Sequence, residues 1–208
     1  MTSAEDRPEV RQLRETVWEM LAPGFTSRAD VIEWAREDAE SDDEVRVTAD
    51  ESEAVVRELW DRRLAELAAR PGPGDEAKLD RAYVELAERG FVVEMNCGVD
   101  QADADDLCRS RAENEGRTAF VYFHEQDAER LAHPGATLYL GFDAVAPKRR
   151  FRKRAFESQR AYDDAAFEVG RTIVEALQRA GLAVEWNGSP GARPFIRDID
   201  WRRPLPPD

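Results

Sequence analysis

The chain has 208 residues, 42% hydrophobic and 36% charged, so it can bury a sizeable core beneath a strongly polar surface. Its formal net charge of −14 is unevenly divided: residues 1–116 carry 15 Lys/Arg against 31 Asp/Glu, a net of −16, and residues 117–208 carry 15 against 13, a net of +2. An acidic field of this size disfavours phosphate backbones, no apolar run approaches the ~20 residues of a membrane-spanning helix, and two cysteines are too few for a disulfide framework.

The first residues, MTSAEDRPEVRQ, lack the basic start and apolar middle of a secretory leader. With few cysteines this points to a reduced, cytoplasmic setting. Pro8 suits a first helical turn, and Val10, Leu13, Val17, Met20 and Leu21 recur at helical spacing. Ser27 and Asp30 make a near capping box before Val31, Ile32 and Ala35. A longer helix is predicted from near Ser52, with Val55, Val56, Leu59, Trp60, Leu64 and Leu67 on one face, stopped by Pro71-Gly72-Pro73-Gly74. Another is predicted over Asp75–Arg89, burying Leu79, Ala82, Tyr83 and Leu86 and closed by Gly90.

After Gly90 the period changes. Phe91–Met95, Phe120–His124 and Thr137–Phe142 read as strands, with a helix over Asp100–Glu113 between the first two. A basic connection then leads to a helix through Phe167, Gly170, Ile173, Val174 and Leu177, closed by Ala180-Gly181. Leu182–Trp186 and Phe195–Trp201 form a hairpin across Asn187-Gly188-Ser189-Pro190-Gly191. The order from residue 91 is β-α-β-β-α-β-β. The expected fold is α+β: a helical N-terminal segment, 1–90, packed on a ferredoxin-like β-α-β-β-α-β sheet with an extra C-terminal strand, 91–203, as one fused body. Ala119, Val121 and Phe123 alternate with Phe120 and Tyr122, so this strand is apolar on both faces and needs cover on each. The N-terminal helices are expected to supply the second cover.

Several short motifs stand in a recognisable order: Phe123-His124-x-Gln126-Asp127, Leu138-Tyr139-Leu140, Ala180-Gly181-Leu182, Glu185-Trp186-x-Gly188-Ser189 and Trp201-Arg202-Arg203. Over residues 75–203 they resemble an actinobacterial family, domain of unknown function 6891. The resemblance implies kinship and no assigned activity. Its members carry a Cys-Cys-x-x-Cys-like cluster after the asparagine of the first strand, whereas this chain reads Asn96-Cys97-Gly98-Val99-Asp100-Gln101. Any metal or redox chemistry of that cluster is implied to be lost here.

His124, Gln126 and Asp127 could form a general-base pair or part of a metal site. Strand parity places His124 and Gln126 on one face and Asp127 on the other, and Asp127 before Ala128 has a helix N-cap role available. Tyr122, His124, Gln126 and Tyr139 are the candidate ligand-binding residues, and no catalytic residue is assigned. Cys97, Cys108, His124 and His133 are isolated in sequence, so no metal site and no cofactor is predicted. Both cysteines read as small buried hydrophobes. Asp100–Asp106 lacks the central glycine and closing glutamate of a calcium loop. There is no nucleophile elbow and no phosphate loop.

The run Lys148, Arg149, Arg150, Phe151, Arg152, Lys153 and Arg154 opposes the global charge. It could contact an anion, an acidic partner or the acidic half of a second copy. Ala119–Phe123 partly matches an RNA-recognition strand, but the preceding residues and strand order do not, and the net charge argues against RNA. The best reading is a non-catalytic acidic binding or regulatory protein of the cytoplasm, with a protein partner or self-association. The alternatives are an enzyme of unrecognised type with a pocket around His124, Gln126 and Tyr139, and RNA or anion binding through residues 148–154.

Overall fold

The computed structural model describes residues 7–41, 47–147 and 155–207. The chain is mixed α+β and divides into two compact units, residues 1–73 with 201–208, and residues 74–200. No helix of the described residues is long and apolar enough to cross a membrane.

The first unit contains α1 (Pro8–Leu21), α2 (Arg28–Ser41) and α3 (Ala49–Ala69), each packed against the other two. The predicted apolar stripe of α1 is buried at Val10, Leu13, Val17 and Leu21. Ser27 caps α2 as expected, its Oγ accepting from the Asp30 amide at 3.2 Å. The α3 helix starts three residues earlier than predicted, because Thr48 and Glu51 form a full capping box. Trp201 returns to this unit, donating its indole N–H to the Pro23 carbonyl at 2.9 Å.

The second unit opens with α4 (Glu76–Glu88), β1 (Phe91–Glu94), α5 (Gln101–Glu115) and β2 (Ala119–Tyr122). The short α6 (Glu125–Glu129) follows, then β3 (Leu138–Tyr139), β4 (Gly141–Ala144), α7 (Gln159–Arg179), β5 (Val184–Glu185) and β6 (Phe195–Ile196). The second unit begins at Gly74. The α4 helix packs on β1 and α7, which joins it to the sheet.

Strand pairing departs from a ferredoxin-like sheet. The β1 and β2 strands pair directly and in parallel, and β4 adds to β2 antiparallel, giving the order β1-β2-β4. A ferredoxin-like split unit inserts a strand between the two ends of its first β-α-β crossover, and none is inserted here. The predicted strand 137–142 is two strands. It breaks at Leu140, whose amide donates to the Pro194 carbonyl at 2.9 Å. On one side β3 joins β6 and β5 in a second sheet, order β3-β6-β5, and on the other β4 joins β2. At Gly141, the first residue of β4, the Tyr122 ring fills the space a β-carbon would need.

The expectation that β2 is covered twice holds. Residues 119–123 are all buried. Phe120 and Tyr122 join Val92, Ala104, Cys108, Ala112 and Val145 in the core beneath α5. The α4 and α7 helices pack against each other and against β1 and β4.

Gly170 is the tightest point of α7. A β-carbon there would lie 2.6 Å from two Trp186 ring atoms and 3.0 Å from Phe142. Trp186 cannot swing away freely, since its indole N–H donates to the carbonyls of Ser189 and Ala192 at 3.1 and 2.8 Å. An interior helical Gly→Ala change normally stabilises by up to ~1 kcal/mol. Gly170→Ala is expected to reverse that sign and destabilise by roughly 1–3 kcal/mol through overpacking. A urea midpoint at or above wild type would show that the ring gives way.

Candidate functional site

The chain leaves β2 at Phe123 and turns at once into α6, and this turn builds the site. His124 is the N-cap of α6: its Nδ1 accepts the Asp127 amide N–H at 3.3 Å. The sequence reading gave the capping role to Asp127 and placed the two side chains on opposite strand faces. Both points are corrected, because parity no longer applies once the helix begins at Glu125. On a helical path positions i and i+3 are neighbours, and His124 Nε2 lies 3.0 Å from Asp127 Oδ2.

Asp127 is completely buried and His124 is 4% exposed. A buried carboxylate needs compensating charge and hydrogen bonds. Arg193, just before β6, supplies them by donating through Nη2 to Asp127 Oδ2 and, at 2.8 Å, to the Tyr139 carbonyl. Arg130 reaches Asp127 Oδ1 at 3.3 Å. Both guanidinium carbons lie 5.6 Å from the Tyr139 ring centroid, within cation–π range.

With Nδ1 accepting an amide N–H, the hydrogen-bond network assigns the ring proton of neutral His124 to Nε2, which faces Asp127. Arg193 Nη1, 3.4 Å from that nitrogen, is then a neighbour and not a donor to it. Burial holds the His124 pKa below its usual value, and the Arg193 and Arg130 charges add to this while Asp127 opposes it. Neither ring nitrogen is left with a free lone pair for a substrate proton. In this geometry both ring nitrogens are turned to Asp127, one to its amide and one to its carboxylate.

An open cleft of about 400 Å³ lies over this cluster, lined by Asp100, Gln101, Ala102, His124, Gln126, Asp127, Arg130 and Arg193. Gln126 and Gln101 are exposed on its walls. The N-terminus of α5 closes one side and is capped by Asp100, whose Oδ1 accepts from the Ala102 and Asp103 amides.

Of the four candidate ligand-binding residues, His124 and Gln126 line the cleft. Tyr139 lies under the two arginines and against Phe195, ring centroids 5.4 Å apart. Tyr122 is directed away, into the α5 core, where its hydroxyl donates to Asp105 at 2.8 Å and lies 3.2 Å from the Gln101 carbonyl. Burial, and then the Asp105 bond, raise its pKa, while burial likewise raises that of Asp105. Tyr122, His124 and Tyr139 could share one sheet face only if the strands of Tyr122 and Tyr139 paired with each other. Because β2 pairs with β4 and β3 with β6, they do not share one.

Arg193 and Arg130 carry no mark in the sequence as site residues, and Asp100 and Gln101 read there only as part of an acidic helix start. Arg193 meets its partners 54 to 69 positions earlier in the chain, so no local pattern marks it. The basic residues Lys148, Arg149, Arg150, Arg152, Lys153 and Arg154 lie outside the described residues. Among the described residues no group of three or more His, Cys, Asp or Glu side chains could hold a metal ion.

Comparison with curated proteins and with solved structures gives no match. A family model described as a domain of unknown function (DUF6891) matches residues 6–205, nearly the whole chain and well beyond the 75–203 over which the motifs were read. The chain belongs to that family.

Proposed function

We propose that this protein acts by binding rather than by catalysis, offering the cleft beside His124 to a polar segment of a partner protein. The observation that carries the reading is the commitment of both His124 ring nitrogens, one to the Asp127 amide and one to the Asp127 carboxylate. The cleft is open, and its exposed polar side chains are Gln101, Gln126 and Arg130, which suit peptide carbonyls and carboxylates, beside Asp100, which suits peptide N–H groups. The uneven charge of the two halves supports a protein partner too, since electrostatic complementarity steers association. A cytoplasmic setting belongs to the same proposal and is supported by the low cysteine count, two in 208 residues.

The test compares wild type with a Gln101→Ala, Gln126→Ala double variant, which removes two exposed cleft side chains and no part of the buried cluster. Both proteins serve as bait in extracts of the source cells, with captured proteins quantified by mass spectrometry. A specific partner should fall at least about tenfold with the variant, a loss of ~1.4 kcal/mol. Equal recovery on both baits, or turnover of a small molecule abolished by the same pair of substitutions, would overturn the binding reading.

A further inference from the structure

The loop between β1 and α5 folds back on the helix it introduces. Asn96 and Gly98, on either side of Cys97, both have left-handed backbones, φ 53° and 71°. Gly98 has no room for a β-carbon, which would sit 2.8 Å from the Ala104 amide nitrogen. Two backbone hydrogen bonds fix the loop to the start of the His124 turn: Cys97 N–H to the Phe123 carbonyl at 3.1 Å, and Glu125 N–H to the Gly98 carbonyl at 3.0 Å.

The result is a pair invisible in the sequence. Cys97 and Cys108, eleven positions apart, hold their sulfurs 4.0 Å from each other. Cys108 is 1% exposed among Val92, Ala104, Ala112, Phe120, Tyr122 and Val145, and Cys97 is half-buried at the edge of that core. One cysteine is partly exposed and the other is buried beside it, the arrangement of an attacking and a resolving thiol.

We propose that Cys97 and Cys108 are a reversible dithiol–disulfide site whose oxidant is a low-molecular-weight disulfide. The Cys97 thiolate attacks one sulfur of RS–SR, forming a mixed disulfide and releasing RS⁻. The Cys108 sulfur, giving up its proton, then attacks the Cys97 sulfur and expels the second RS⁻. One Cys97–Cys108 S–S bond forms, and the two thiol protons end on two RSH, so the protein loses two electrons and the small disulfide gains two. Disulfide formation closes the sulfurs from 4.0 Å to ~2.05 Å. The bond ties the reversed loop to α5, whose first turn walls the cleft. Burial raises both thiol pKa values, consistent with slow formation and a disulfide resistant to reduction once made. The site stands independently of the partner-binding reading.

The full-length reduced protein, treated with glutathione disulfide, quenched in acid and weighed intact, tests this directly. Wild type should lose two hydrogens and carry little adduct, and peptide mapping should show Cys97 linked to Cys108. Cys108→Ala should instead accumulate a glutathione adduct on Cys97 at least about tenfold above wild type, because nothing resolves it. Wild type that accumulates the Cys97 adduct as Cys108→Ala does, or that keeps both thiols free under conditions that oxidise a dithiol peptide, would overturn the proposal. The peptide map of wild type decides the matter even if Cys108→Ala does not fold.

Discussion

Arg193→Ala should destabilise the protein by about 3 kcal/mol at neutral pH, the range for stranding a buried charge by removing its partner. Asp127 has no exposed surface, and Arg193 donates to its Oδ2 while also tying the Tyr139 carbonyl. Arg130 remains at 3.3 Å, but its side chain is 56% exposed, and an exposed arm compensates a buried carboxylate less well. The deficit should depend on pH. In wild type the His124 pKa in the folded state is below its ordinary 6.5, so the unfolded chain takes up the proton first. The contribution of neutral His124 is therefore fully present above about pH 6.5 and is lost as pH falls through the folded value.

In Arg193→Ala the charge that helps hold the imidazole neutral is gone, while Asp127 still favours its protonation. His124 should then take up a proton more readily and replace the missing cation. The gap in urea stability between wild type and variant should narrow between about pH 7.5 and about pH 5.5, either side of the ordinary imidazole value. Arg193→Lys should recover part of the loss, since a point charge restores the pairing but not the two-directional donation. A gap that is small at neutral pH, or that does not change with pH, would mean that Arg193 is not what neutralises Asp127.

The cluster also shows where sequence reading reaches its limit. Period and capping chemistry located α1, α4 and α7 closely, because the apolar stripes and Gly90 act within a few residues of themselves. The double-sided β2 was legible for the same reason. The break at Leu140 was not, because it depends on Pro194 carrying β3 into a different sheet. The relation of His124 to Asp127 was misread because a strand period was carried to Asp127, past the end of β2 at Tyr122 and into α6, and one helical turn reversed which side chains meet. Arg193 and the Cys97–Cys108 pair were illegible for a common reason: each contact is set by where separate elements dock, and neither pair lies on a single helix or strand.

Trp201→Ala is expected to be at least as damaging, about 3–5 kcal/mol, the range for deleting a buried aromatic side chain. Trp201 is 5% exposed, lies 6.0 Å from the Phe25 ring and bonds the Pro23 carbonyl. Its own carbonyl accepts from Arg63, itself only 9% exposed. The residues after it rest on the same turn: Arg203 sits 4.6 Å over Phe25, and a β-carbon on Gly24 would lie 2.9 Å from the Pro204 carbonyl oxygen. Gly24 is also left-handed, at φ 77°, so both conformation and contact demand glycine there. The tail is thus a fourth packing element for the helical unit, joined to it far from α1–α3 in sequence. Losing the indole removes the anchor at the centre of those contacts, and release of the tail would also take from Arg63 one of its acceptors. Amide exchange should accelerate in α1 and α3 and change least in β1 and β2, which belong to the other compact unit. Trp201→Phe should retain most of the packing and lose about 1 kcal/mol with the indole hydrogen bond. If Trp201→Ala unfolds at the wild-type urea midpoint, or Trp201→Phe is as damaging as alanine, the tail is not held by burial of this ring.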